Sequence, residues 1–175
     1  MRKLIITLGA LSVLTACSKQ PELEQQNQAE KKTANTALAQ YKTQAESLLA
    51  DIRIEQQAPQ LAQQSAELVT LSRSLLKDFV AKYPQCQTYL DALDKAADII
   101  PTLPLEEIET GYHADGKLPK FDDPVCYHAK DLLVHPATVQ AIAIKGFNSS
   151  EDYQSAEMEM VEVIAHFDQV ERALK

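Results

Sequence analysis

The sequence predicts an all-α protein: a four-helix up-down-type bundle with a crossover, residues 84–124, that carries a short extra helix. Three observations predict it. Apolar residues recur in steps of three and four along several long segments, which lays an apolar stripe down one face of a helix. The alternation by two that a half-buried strand needs is absent. Four glycines in 175 residues, with no tryptophan, argue against a fold of short strands joined by many tight turns. The length fits one domain of about 150 residues better than two, and 45% hydrophobic with 24% charged residues is an ordinary globular composition.

The elements follow in order. Ala34, Leu38, Tyr41, Ala45, Leu48 and Ile52 step by four and three, as do Leu61, Ser65, Leu68, Ser72, Leu75 and Phe79, with Val69, Leu76 and Val80 widening the second stripe. Ala58-Pro59 separates these two helices, because proline lacks an amide donor and is tolerated in the first turn of the next helix. Tyr83-Pro84 closes the second. A shorter helix over 85–100 would turn Tyr89, Leu90, Leu93, Ala96, Ala97 and Ile100 inward, ending at Pro101 and Pro104, and another short one spans 105–110. Residues 111–124, with two glycines, two prolines and three aspartates, read as loop. Val125, Ala129, Leu132, Val139 and Ala143 predict a helix interrupted or kinked at Pro136. Gly146-Phe147-Asn148 stops it, and Ser149 or Ser150 caps a last helix whose stripe is Tyr153, Ala156, Met160, Val163, Phe167, Val170 and Leu174. Repeats averaging near 3.5 residues favour nearly antiparallel packing of the four long helices.

The N-terminus carries a different signal. Arg2 and Lys3 precede a 13-residue apolar run, Leu4 to Ala16, too short for the ~20 residues that span a hydrocarbon core of ~30 Å. It ends in Leu14-Thr15-Ala16-Cys17, which resembles the lipobox of bacterial lipoprotein precursors. The resemblance covers residues 1–18. It implies cleavage before Cys17 and acylation of that residue, and Ser18 after it implies passage to the outer membrane, facing the periplasm. Two or more acyl chains hold a protein stably at a membrane, at ~0.8 kcal/mol per buried methylene. The expected organisation is a signal peptide at 1–16, a flexible tether at 17–32 dominated by Gln, Glu and Lys, and a helical domain at 33–175. Such a tether reaches ~20 Å.

Charge narrows the partners. The chain has 17 basic and 25 acidic residues, a net −8, and losing Arg2 and Lys3 with the signal makes it more acidic still. Binding nucleic acid needs a basic face, so no nucleic-acid partner is expected, and an anionic bilayer offers no electrostatic attraction. The membrane is reached through the N-terminal lipid, and the expected protein partner is another envelope protein. Cys86 and Cys126 form an even pair in an oxidising compartment and read as a disulfide. Neither has a second cysteine at zinc-ligand spacing.

Candidate chemistry clusters between 111 and 135: His113, Asp115, Asp122, Asp123, His128, Asp131 and His135. His128, Asp131 and His135, three and four residues apart, share one helical face, unless Pro136 bends His135 out of helical geometry. Imidazoles with a carboxylate could bind zinc or copper, with His113 or Asp115 completing the shell. The alternative is that these are solvated or hydrogen-bonded side chains. Gly111-Tyr112-His113 has a slight similarity to the Gly-x-His-x-x-Glu signature of imelysin-like helical proteins, but Gly116 stands where that family carries Glu, so no activity transfers. Covalent haem is excluded by the lack of Cys-x-x-Cys-His. For non-covalent haem, Met160 lies on the last helix's stripe, Met158 and His166 off it, and Glu157, Glu159 and Glu162 read as its outer face. No nucleophile elbow, His-Glu-x-x-His motif or phosphate loop occurs. The expectation is a non-enzymatic, lipid-anchored binding or scaffolding module without a cofactor. The alternative is a periplasmic helical bundle that binds a metal or small ligand, haem among them.

Overall fold

The computed structural model describes the backbone of residues 20–174 and the side chains of residues 36–174. Cys17 and the signal sequence, on which the lipidation expectation rests, lie outside the described residues. Within them the chain is all-helical, without strands: α1 (Gln20–Arg53), α2 (Ala58–Lys82), α3 (Gln87–Ala96), α4 (Leu105–Ile108), α5 (Val125–Lys145) and α6 (Ser150–Leu174).

The predicted stripes form the core. Leu38, Tyr41, Ala45, Leu48 and Ile52 of α1 are buried, as are all six stripe residues of α2 from Leu61 to Phe79. Ala156, Met160, Val163, Phe167, Val170 and Leu174 of α6 join them. Burying a Leu or Phe side chain contributes roughly 1.5–3 kcal/mol, so these faces hold the helices together as a bundle. α1 packs on α2 and α6, and α5 packs on α2 and α6. α1 and α6 run in opposite directions: Arg53 Nε reaches Glu157 Oε1 at 2.7 Å near one end, while Tyr41 stacks on Phe167 with ring centroids 6.0 Å apart farther along. The Cys86–Cys126 disulfide joins the chain just past α2 to the first turn of α5, with Cα atoms 5.4 Å apart.

Four local expectations change. α1 starts at Gln20, inside the segment read as a flexible tether. Gln, Glu, Lys and Ala are strong helix formers even where no apolar stripe marks them. The helix expected over 85–100 is divided into a 3-10 turn at Pro84–Cys86, α3, and a second 3-10 turn at Ile100–Thr102, although Tyr89, Leu90, Leu93, Ala96, Ala97 and Ile100 are all buried as expected. The loop expected from Gly111 opens instead as a π-helical turn, Glu109–His113, continuing α4.

The fourth change has a clear cause. α5 continues through Pro136. Proline has no N–H to give the carbonyl four residues back, and here that carbonyl belongs to Leu132. The Tyr41 hydroxyl donates to it at 2.8 Å, and the Ser72 hydroxyl, which also lies 2.7 Å from the Leu68 carbonyl, contacts it too. Burial pushes the Tyr41 phenol far above its ordinary pKa, so it remains a donor. The acceptor that proline leaves unpaired is thus satisfied from α1 and α2.

Both ends of the α5–α6 connection are capped as their residues dictate. Gly146 takes φ +86°, a left-handed conformation that favours glycine. Asp152, in the first turn of α6, accepts from the backbone N–H groups of Asn148 and Ser149 at 2.8 and 3.0 Å, the carboxylate half of a capping box.

Candidate metal centre

The middle of α5 is buried nearly all round, because α2 and α6 cover two sides and the 100–113 segment a third. Polar residues are caught there. Lys130 is 1% exposed, and its ammonium donates to the His113 carbonyl at 2.7 Å and to Asp115 Oδ1 at 3.1 Å, over the Tyr127 ring at 4.2 Å. Tyr89 donates its hydroxyl to the same Asp115 oxygen at 2.8 Å. This network fixes the backbone of His113 against α5.

The π-turn completes the placement. The Ala114 N–H bonds back five residues to Glu109 O at 2.8 Å, and such widened turns recur at functional sites. Asp115 follows at φ +59°. At Gly116 a Cβ would lie 2.4 Å from the Thr110 carbonyl oxygen, so the position demands glycine, and the Glu of the imelysin-like signature has no counterpart there.

Three of the chain's four histidines, His113, His135 and His166, line one cleft between α5, α6 and this turn, and His128 lies beside it against His166. His113 Nε2 lies 3.0 Å from the Thr138 hydroxyl and 3.5 Å from Glu159 Oε2. His135 Nδ1 is 2.7 Å from that same Glu159 oxygen, and its Nε2 is 3.8 Å from both Asp131 Oδ1 and Glu162 Oε2. His166 Nδ1 is 3.1 Å from Asp131 Oδ2. The His128 ring lies 5.7 Å from that of His166, and its Nδ1 is buried without a hydrogen-bond partner.

Two donor sets emerge, His113 with His135 and Glu159, and His128 with Asp131 and His166. In each, one donor atom per residue lies within 4.8 Å of the others. A tetrahedral ion with bonds of about 2.0–2.1 Å keeps its donors roughly 3.3 Å apart. The 3.5 and 2.7 Å separations about Glu159 Oε2 bracket that value.

Electrostatics favour a cation. The cleft has a volume of about 370 Å³ and is lined by Glu109, Asp131, Glu159 and Glu162 with no lysine or arginine. Burial holds His113 and His128 below the ordinary imidazole pKa, which keeps them neutral with a lone pair free for a metal. Burial also pushes Asp131 above the usual carboxylate range, and a bound cation would offset that penalty on its charge.

Of the residues singled out in the sequence, the structure brings His113 beside His135 and His128 beside Asp131, in two donor sets rather than the one shell expected, and keeps His135 helical beside Pro136. Asp115 and Asp123 serve elsewhere: Asp115 holds Lys130, and Asp123 accepts from the Val125 N–H at 3.0 Å at the start of α5. Sequence reasoning missed Glu159, Glu162 and His166. Reading Glu159 as outer face fails, since its side chain is 20% exposed and turned to His135, whereas Glu157 does lie outside on Arg53. A signal was present. Glu159, Glu162 and His166 repeat the three-and-four spacing of His128, Asp131 and His135, so two antiparallel helices can present matching polar faces. Of the three residues considered for haem, Met160 is fully buried in the core, while Met158 and His166 line the cleft.

No helix among the described residues is long and apolar enough to cross a membrane. Compared with known protein families, curated proteins and solved structures, the chain matches none.

Proposed function

We propose that this chain is a lipid-anchored cell-envelope lipoprotein whose up-down four-helix bundle, with residues 84–124 as its crossover, binds a divalent transition-metal ion without catalysing a reaction. The observation that carries the metal reading is the convergence of His113, His135 and His166 with four carboxylates on one acidic cleft, with His128 beside His166. Two imidazoles and a carboxylate suit zinc or copper, and His113, His135 and Glu159 make the better enclosed set. This geometry favours the ligand-binding alternative over a purely scaffolding role, whose solvent-facing contacts would not need buried histidines. The basic start, the apolar run and Leu14-Thr15-Ala16-Cys17 support the anchor and the envelope location.

Two measurements test this reading. Calorimetric titration of the mature protein in detergent with zinc should give saturable binding. His135→Ala should weaken it by about 100-fold or more, as loss of a direct ligand exceeds the 10–100-fold of an outer-shell change. A flat titration with both zinc and copper would remove the metal reading. For the anchor, Cys17→Ser should move the protein from the membrane pellet to the soluble fraction, and undiminished pelleting would refute it.

A further inference from the structure

We infer that a second divalent-ion site borders the cleft, formed by His128, Asp131 and His166 and linked through Asp131 to the first. The inference rests on the metal reading above and adds a stoichiometry of two to it. Three observations carry it. The donor atoms of these three residues lie within 4.8 Å of one another, the same limit that the first set meets. His128 Nδ1 is buried with no hydrogen-bond partner, an uncommon state for a native polar atom and one that a ligated ion would resolve. Asp131, almost fully buried, divides its oxygens: Oδ2 lies 3.1 Å from His166 Nδ1 and Oδ1 lies 3.8 Å from His135 Nε2.

The division sets the chemistry of the pair. At the first site His135 presents Nδ1 beside Glu159, so its Nε2 is left facing two carboxylates, the buried Asp131 and the more exposed Glu162, each at 3.8 Å. A carboxylate behind a ligating imidazole orients the ring and raises its basicity. Asp131 therefore acts twice, as a ligand to the second ion and as the outer partner of His135 at the first. His166 is partly exposed, its side chain at 38%, so the second site opens to the cleft, where water completes a four-coordinate shell. Such a site exchanges its ion faster than the first and binds it more weakly.

The test is stoichiometry on the full mature protein, by elemental analysis after zinc loading and by following the visible bands of cobalt during titration. The wild type should take up two ions per chain in two steps. The double variant His128→Ala, His166→Ala should retain one, with the tighter step unchanged. The double variant His113→Ala, Glu159→Gln should lose the tighter step and keep the weaker one. One ion per chain in the wild type, lost in His135→Ala, would overturn the second site and leave the metal reading standing. Two ions in both the wild type and the His128, His166 variant would also overturn it, since the second would lie elsewhere. No uptake at all would remove both. The wild-type titration requires no substitution, so an unstable variant leaves the inference open to refutation.

Discussion

Removing the disulfide, by Cys86→Ser with Cys126→Ser, is expected to lower the unfolding free energy by about 4 kcal/mol. The bond spans a sequence separation of 40, and the loop-entropy relation gives about that figure for a loop this long. The effect acts mainly on the unfolded chain, whose two cysteines are otherwise free to separate. Both sulfur-bearing residues are fully buried in the native protein, so serine hydroxyls there would add a desolvation cost. Urea titration followed by circular dichroism, with and without reductant, measures the change. A midpoint that reductant leaves in place would show the two ends of the crossover to be held by packing alone. Because the crossover carries His113, the reduced protein should also bind zinc more weakly.

Lys130→Met should destabilise the protein by about 2–4 kcal/mol. Breaking a buried ion pair by removing one partner costs 3–5 kcal/mol, and the 29% exposure of the Asp115 side chain moves the figure down because water reaches the stranded carboxylate. The His113 carbonyl loses its donor in the same step. Adding Asp115→Asn should recover part of the loss, since the unpaired charge is then gone, and this non-additivity in a double-mutant cycle identifies the pair. Additive costs would mean that Lys130 acts through packing of its aliphatic stem. Zinc affinity should fall in Lys130→Met and stay low in the double variant, because His113 has lost its anchor in both.

How much of this was legible in the sequence depended on whether a residue's role followed from spacing. The stripes of α1, α2 and α6 were legible because period alone decides which face is buried, and every described stripe residue but Val80 and Tyr153, which are partly buried, is buried. α5 was only half legible. Its apolar positions were found, yet Lys130, His135 and Thr138 are buried beside them, because the crossover covers a face that local spacing marks as polar. The cysteine pairing followed from compartment chemistry and the number of thiols rather than from the fold. Of the candidate site, the residues on α5 were found because they share one helical face. His113 was flagged with them in the same stretch, but nothing local showed that a π-turn and the Lys130 network would bring it across. The contribution of α6 was missed because glutamates on an amphipathic helix read as solvated until the neighbouring helix is known.

Heptad-like stripes leave one freedom open: a helix can slide past its neighbour by a full turn, about 5.4 Å, and still meet apolar side chains. Tyr41 removes that freedom. Its hydroxyl is pinned to Leu132, the residue after Asp131, and its ring lies flat against Phe167, the residue after His166. One side chain on α1 thereby indexes α5 and α6 to a common height, the height at which Asp131 and His166 meet. The proline that exposes the Leu132 carbonyl is the origin of that ruler, and the alignment of the histidines is read off from it.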